Sequence, residues 1–293
     1  MLRPSGSPPM LPASFFAARR PPPFFARIFA PVSTPIRHAF LCLLLACGLG
    51  VYAAPGRAAP PVVVAAAADL KFALGEIAAN YEKESGQAVQ LAFGSSGNFA
   101  RQIPQGAPFD LFLSADEDYV LKLAAQGFLR DEGALYAIGR IALLVPHGSK
   151  LRVDGELKDL VAAVADGRVQ RFAIANPEHA PYGRAARAAL QRVGVWEALQ
   201  GRLVLGENVA QAAQFATSGS TQGGIVAWSL ARSPEVAKLG ESALLPADWH
   251  PPLRQRMALT RKAGEAAQRF YDYLRQPAAR AVFERHGFTL PAR

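Results

Sequence analysis

Val62-Val63-Val64-Ala65-Ala66-Ala67-Ala68-Asp69-Leu70-Lys71-Phe72 decides the fold: a β-branched run passes through small residues to Asp69, where a helix N-cap belongs. Leu70, Ala73, Leu74, Ile77 and Tyr81 then recur at helical spacing. A second unit follows the same plan. Val89-Gln90-Leu91-Ala92-Phe93 runs into Gly94-Ser95-Ser96-Gly97-Asn98, and Phe99 and Ile103 continue as a short helix that stops at Pro104. Helix starts carry NH donors without internal partners and a partial positive charge. Two of them at one sheet edge make an anion site, to which serine hydroxyls add donors without charge. The same glycine-serine loop also reads as an ordinary turn.

Working outward, the body alternates strand and helix with short connections, the pattern of a parallel, wound sheet. Strands are expected at 109–113, 140–146, 171–175, 203–205, 224–228 and 256–260. Helices are expected near 116–125, 157–164, 182–193, 209–216, 264–275 and 278–286. These divide into two similar α/β halves, residues 60–140 with 256–293 and residues 141–255, joined by two crossing strands near 138–147 and 254–260. A ligand is expected in the cleft between them, outside the carboxyl ends of the strands.

The 293 residues, 51% of them apolar, suffice for two packed domains. Residues 1–59 differ from the rest: they are rich in Pro, Phe, Arg and Ala and lack Asp and Glu. Arg37 and His38 precede an apolar run from Ala39 to about Tyr52, and small residues follow before Pro60, the arrangement of a secretory signal. Leu44-Leu45-Ala46-Cys47 loosely matches a lipoprotein cleavage site, so lipid attachment at Cys47 is the alternative. The formal charge of +9 shrinks to about +3 once the six leader Arg are set aside. That weakens the case for nucleic-acid binding, and no basic stripe with interleaved aromatics supports it. Cys42 and Cys47 both lie in the leader, so a mature chain has no disulfide, thiol nucleophile or cysteine metal site.

Enzymatic readings find little support. Ser95 and Ser96 have no histidine at a predictable partner position and no Gly-x-Ser-x-Gly elbow. Gly94-Ser95-Ser96-Gly97 lacks the Lys of a nucleotide-binding loop. Asp110 and Asp116 read as a turn and a helix cap rather than a catalytic pair. His147 and His179 fall near the expected cleft without metal spacing.

The blocks Ala66-Ala67-Ala68-Asp69-Leu70, Phe93-Gly94-Ser95-Ser96, Ala100-Arg101-Gln102-Ile103, Gly106 through Asp116, Asn176 through Gly183, Gly224-Ile225-Val226 and Phe270-Tyr271-Asp272-Tyr273-Leu274 occur in one order. In them the chain resembles the periplasmic molybdate-binding proteins of ABC importers, over nearly all of residues 62–290. The resemblance implies an α/β, two-lobed periplasmic-binding-protein fold of type II, with mixed sheets, flanking helices and a two-strand hinge. It also implies a periplasmic monomer that captures molybdate, and with it tungstate, and hands it to an inner-membrane permease. No catalysis, cofactor or cation site is implied; the metal is the molybdenum of the oxyanion.

By position the resemblance implies an oxyanion shell of Asp69, Ser96, Tyr182 and Val209, the last through its backbone NH. A Tyr that another branch carries in the Gly-Ile-Val strand falls on Ala227, and Tyr182 is expected to serve instead. Asp69 stands where that family often has Ser, and a carboxylate about 4 Å from a dianion is repulsive unless one of them carries a proton. Three readings follow: Asp69 caps its helix while nearby NH groups face the anion; Asp69 accepts a proton from a protonated oxyanion such as phosphate; or the ligand is not an oxyanion. An enzyme on the same fold is the alternative of a different class.

Overall fold

The computed structural model describes residues 59–291. The expected leader, its signal character and Cys47 lie outside the described residues. Along the chain run β1 (Val62–Ala67), β2 (Val89–Gly94), β3 (Leu111–Ser114), β4 (Ala134–Gly139), β5 (Ile141–Pro146), β6 (Phe172–Ala175), β7 (Leu203–Gly206), β8 (Gly224–Ala227), β9 (Gly240–Leu244) and β10 (Leu253–Leu259). They form two five-stranded sheets, ordered β2-β1-β3-β10-β4 and β7-β6-β8-β5-β9. Both follow one plan. In the first, β1 is parallel to β2 and β3, and β10 runs antiparallel to β3 and β4. In the second, β6 is parallel to β7 and β8, and β5 runs antiparallel to β8 and β9. The sheets are therefore mixed, the helical connections producing parallel neighbours and the strands next to the crossings running the other way.

Each sheet is buried by its own helices. Val64, Leu74, Leu111, Met257, Phe270 and Phe283 share one core, and Leu143, Leu160, Phe172, Ala186 and Val226 share the other. Ala67, Ala68 and Ala115, at the tips of β1 and β3, pack into the second lobe's core. Small side chains at those tips let the two lobes meet closely.

The chain crosses between sheets at Arg140, which separates β4 from β5, and returns through residues 245–252. Arg140 Nη2 donates to the Leu245 carbonyl at 2.7 Å, tying the two crossings together. Each crossing is thus a short connection rather than a strand shared by both lobes. β10 begins at Leu253, three residues before the expected start, so residues 253–255 belong to the first sheet and not to the second lobe. The register shifts between Gln255 and Arg256, and the polar run Arg254-Gln255-Arg256 hides the strand from a hydrophobicity pattern.

Candidate functional site

The register of β1 on β2, Val62 opposite Val89 through Ala67 opposite Gly94, brings their carboxyl ends level. Ala68-Asp69 and Ser95-Ser96 therefore emerge side by side. In the second lobe Ala175 pairs with Gly206, which sets the turns that follow β6 and β7 at a common edge. The two edges enclose a small, nearly filled cavity lined by Ala67, Ala68, Asp69, Gly94, Ser95, Ser96, Ala115, Ala180, Pro181, Tyr182, Asn208 and Val209. All four residues expected to form the shell are in that lining, Asp69 and Ser96 from one lobe and Tyr182 and Val209 from the other. The lining contains no Lys or Arg.

Its donors come from helix starts and hydroxyls. Ser95 caps the helix Ser96–Gln102, its Oγ accepting from Asn98 NH, while Gly97 NH donates across the cleft to the His179 carbonyl at 3.0 Å. Asn208 caps the helix Val209–Thr217, its Oδ1 accepting from the NH groups of Ala210 and Gln211. In both helices the second and third NH groups are thereby taken. The first, on Ser96 and on Val209, has no acceptor among the described residues and borders the cavity. Ser96 is 1% exposed, and its Oγ accepts from Ala115 NH at 2.9 Å, leaving its own proton to donate.

Asp69 does not cap its helix. It lies in the middle of a 3₁₀ turn, Ala68–Leu70, with no side-chain cap bond, and its carboxylate turns inward. Oδ2 accepts from the Tyr182 hydroxyl at 2.8 Å and from Gln255 Nε2 at 2.6 Å. Gln255 Nε2 also lies 3.1 Å from the Tyr182 oxygen, and Gln255 Oε1 accepts from the Tyr136 hydroxyl at 2.8 Å. Ser229 Oγ donates to the Asp69 carbonyl at 2.8 Å. Oδ1 has no partner among the described residues. Burial pushes the Asp69 carboxyl up from 3.8 to about 6, against the two side-chain donors that lower it. Burial, reinforced by the nearby Asp69 charge, likewise holds the phenols of Tyr136 and Tyr182 well above their usual range.

Around the rim the lobes are latched by polar contacts. His179 Nδ1 is 3.0 Å from Ser95 Oγ and its Nε2 is 3.3 Å from Glu207, which also accepts from Asn98. Arg184 pairs with Asp116 and donates to the Tyr119 hydroxyl at 3.0 Å. Asp116 is also the helix cap expected of it, accepting from Asp118 NH at 3.1 Å. Gly97 fits because it has no side chain: a Cβ there would sit 2.5 Å from the His179 carbonyl and 2.8 Å from the Tyr119 oxygen. At Gly139 a Cβ would meet the Tyr182 oxygen at 2.2 Å.

Sequence reasoning missed Gln255, Tyr136 and Ser229, which fix the Asp69 side. None carries a sequence signal of that role; in the structure Gln255 takes an inward position beside Met257 and is fully buried. Such a group needs a partner. No cluster of three or more His, Cys, Asp or Glu with metal-holding geometry occurs among the described residues. The arrangement can hold a small anion by neutral donors. Contrary to the sequence expectation, Ser95 does have a histidine partner, His179 Nδ1 at 3.0 Å, but its Oγ is engaged as the helix cap that accepts from Asn98 NH.

Comparison with known proteins places this geometry. Residues 62–289 match the family model of the bacterial extracellular solute-binding proteins. The molybdate-binding protein ModA of Rhodobacter capsulatus is 35% identical over 257 residues, 87% of this chain and 96% of that protein. ModA of Azotobacter vinelandii is 35% identical over 251 residues, 85% of this chain and 97% of its own length. The solved structure of the Azotobacter vinelandii periplasmic molybdate-binding protein superposes with a TM-score of 0.72 at 32% identity, covering 79% of this chain and all of that one. These relatives are binding proteins and not enzymes. The chain belongs to the bacterial extracellular solute-binding proteins, in the family that includes the ModA proteins.

Proposed function

We propose that this protein captures a tetrahedral oxyanion, molybdate and with it tungstate, between its lobes outside the cytoplasm and delivers it to the permease of an ABC importer. The carrying observation is a closed cavity lined by hydroxyls and helix starts from both lobes and by no cation. An anion stripped of water there depends on hydrogen bonds, each to a charged group contributing roughly 1.5–3 kcal/mol. Fixed dipoles also discriminate by size, because the shell cannot contract around a smaller oxyanion such as sulfate. One chain supplies the whole shell, so a monomer suffices, and neither cofactor nor cation has a part. The names and periplasmic setting of the relatives agree with this reading.

Asp69 Oδ1, without a partner among the described residues, favours one second reading, hydrogen phosphate, whose own proton would bridge to the carboxylate. Calorimetry with molybdate, tungstate, sulfate and phosphate at neutral pH separates them. Tight molybdate and tungstate binding with sulfate silent supports the proposal; phosphate binding with molybdate silent transfers the site to the second reading.

A further inference from the structure

The Asp69 carboxylate poses a problem that the rest of the cavity does not. It is 1% exposed, it lines the space the anion would occupy, and no Lys or Arg lines that space to offset its charge. Bringing a dianion beside an ionised carboxylate in a site of low dielectric is repulsive. The hydrogen bonding is nevertheless ordered. Both side-chain donors that reach the carboxyl group, Tyr182 OH and Gln255 Nε2, converge on Oδ2, and Oδ1 has no partner among the described residues. A proton on this group therefore belongs on Oδ1, where the resulting O–H meets no competing acceptor among the described residues while Oδ2 keeps both its bonds.

We propose that Asp69 enters the complex as its neutral acid, so that the site takes up one proton from solvent with each oxyanion it captures. This rests on the oxyanion reading and deepens it. The proton comes from water and goes to Asp69 Oδ1; no other bond is made or broken. The substitution of a carboxyl group for a neutral donor thus leaves the shell chemically equivalent at mildly acid pH and weakens it as pH rises.

The groups facing Asp69 support this assignment. From β4 comes Tyr136 and from the helix Pro181–Arg192 comes Tyr182, both held in their neutral forms by burial. From β10 comes the neutral Gln255, and from the short helix Trp228–Ala231 comes Ser229, on the Asp69 carbonyl. Ser96 and Val209 face it from the two capped helices. The charged rim groups Arg184, Asp116 and Glu207, and His179, make their contacts with one another and with Tyr119, Ser95 and Asn98 rather than with Asp69. Burial already carries the free carboxyl to about 6, and an adjacent dianion raises it further.

The test is calorimetry of the purified protein with molybdate, a dianion throughout the range used, from pH 5.5 to 8 in buffers of different ionisation enthalpy. Proton uptake should be about one per anion at pH 7.5 and fall toward one half at pH 6, with affinity dropping about fiftyfold between pH 6 and pH 8. Asp69→Asn places an amide NH₂ where the O–H would be, and should bind with little pH dependence and no uptake. It retains every rim group, so any pH dependence arising there survives in it. Binding without proton uptake in the wild type, or the same pH slope in the Asn variant, overturns the proposal while leaving oxyanion capture intact. Absence of molybdate binding at every pH overturns both.

Discussion

The Tyr182 hydroxyl of one lobe donates to Asp69 Oδ2 of the other across 2.8 Å, directly at the cavity. Gln255 Nε2 reaches both, so the three groups form one hydrogen-bonded unit across the two lobes. The interactions around this pair lead to four predictions for the protein.

The free protein should lose stability as pH rises. A carboxyl group raised from 3.8 to about 6 on folding favours the folded state at low pH, where both states are protonated; that advantage declines above 3.8 and is fully lost once pH passes the folded value. The difference amounts to roughly 3 kcal/mol at about 1.36 kcal/mol per pH unit. Urea denaturation should show Asp69→Asn to be more stable than the wild type at pH 8 and nearly equal to it at pH 4. Equal pH profiles for the two would contradict the buried carboxyl.

Ser96→Ala should weaken oxyanion binding by ten- to a hundredfold, the loss of one donor to a charged ligand. The same change leaves Ala115 NH without its acceptor, so stability should fall by about 1 kcal/mol. Calorimetry and urea denaturation read the two effects separately.

Gly97→Ala should fold normally and bind at least tenfold more weakly. Alanine is the better helix former in the first turn, yet its Cβ would lie 2.5 Å from the His179 carbonyl in the closed form. X-ray scattering should show a larger radius of gyration than the wild type in saturating molybdate. A variant that closes as fully as the wild type would place the lobe contact elsewhere.

Gln255→Leu should cost roughly 2–3 kcal/mol of stability. It deprives Asp69 of one donor and leaves the Tyr136 hydroxyl buried without its best acceptor. Guanidinium denaturation measures it; a neutral result would mean that water replaces the amide.

Much of this architecture is visible in the sequence because the physics is local. The run Val62–Ala67 can only be a buried strand, the helical spacing of Leu74, Ile77 and Tyr81 follows at once, and Asp116 announces its helix by capping. Asp69 was misplaced for an instructive reason: Asp before a helical run carries the signature of a cap, but the 3₁₀ turn shifts it one step inside and aims it at β10. Gln255 was invisible because its role depends on residues 73 and 186 positions away, Tyr182 and Asp69. β4 and β9 escaped because partners in the sheet, rather than a strong alternation of their own, hold them as strands. The resemblance named four residues of the cavity lining, Asp69, Ser96, Tyr182 and Val209; the network behind them it did not reach.

The central claim is that an oxyanion sits in this cavity, held by both lobes. Anomalous diffraction at the molybdenum edge from crystals grown with molybdate tests it most directly. The account predicts one strong peak enclosed by Ser96, Asp69, Tyr182 and Val209, with hydroxyl and NH donors around it and no Lys or Arg in contact. A peak only on the protein surface, or a cavity that stays without one while the lobes remain closed, would contradict it.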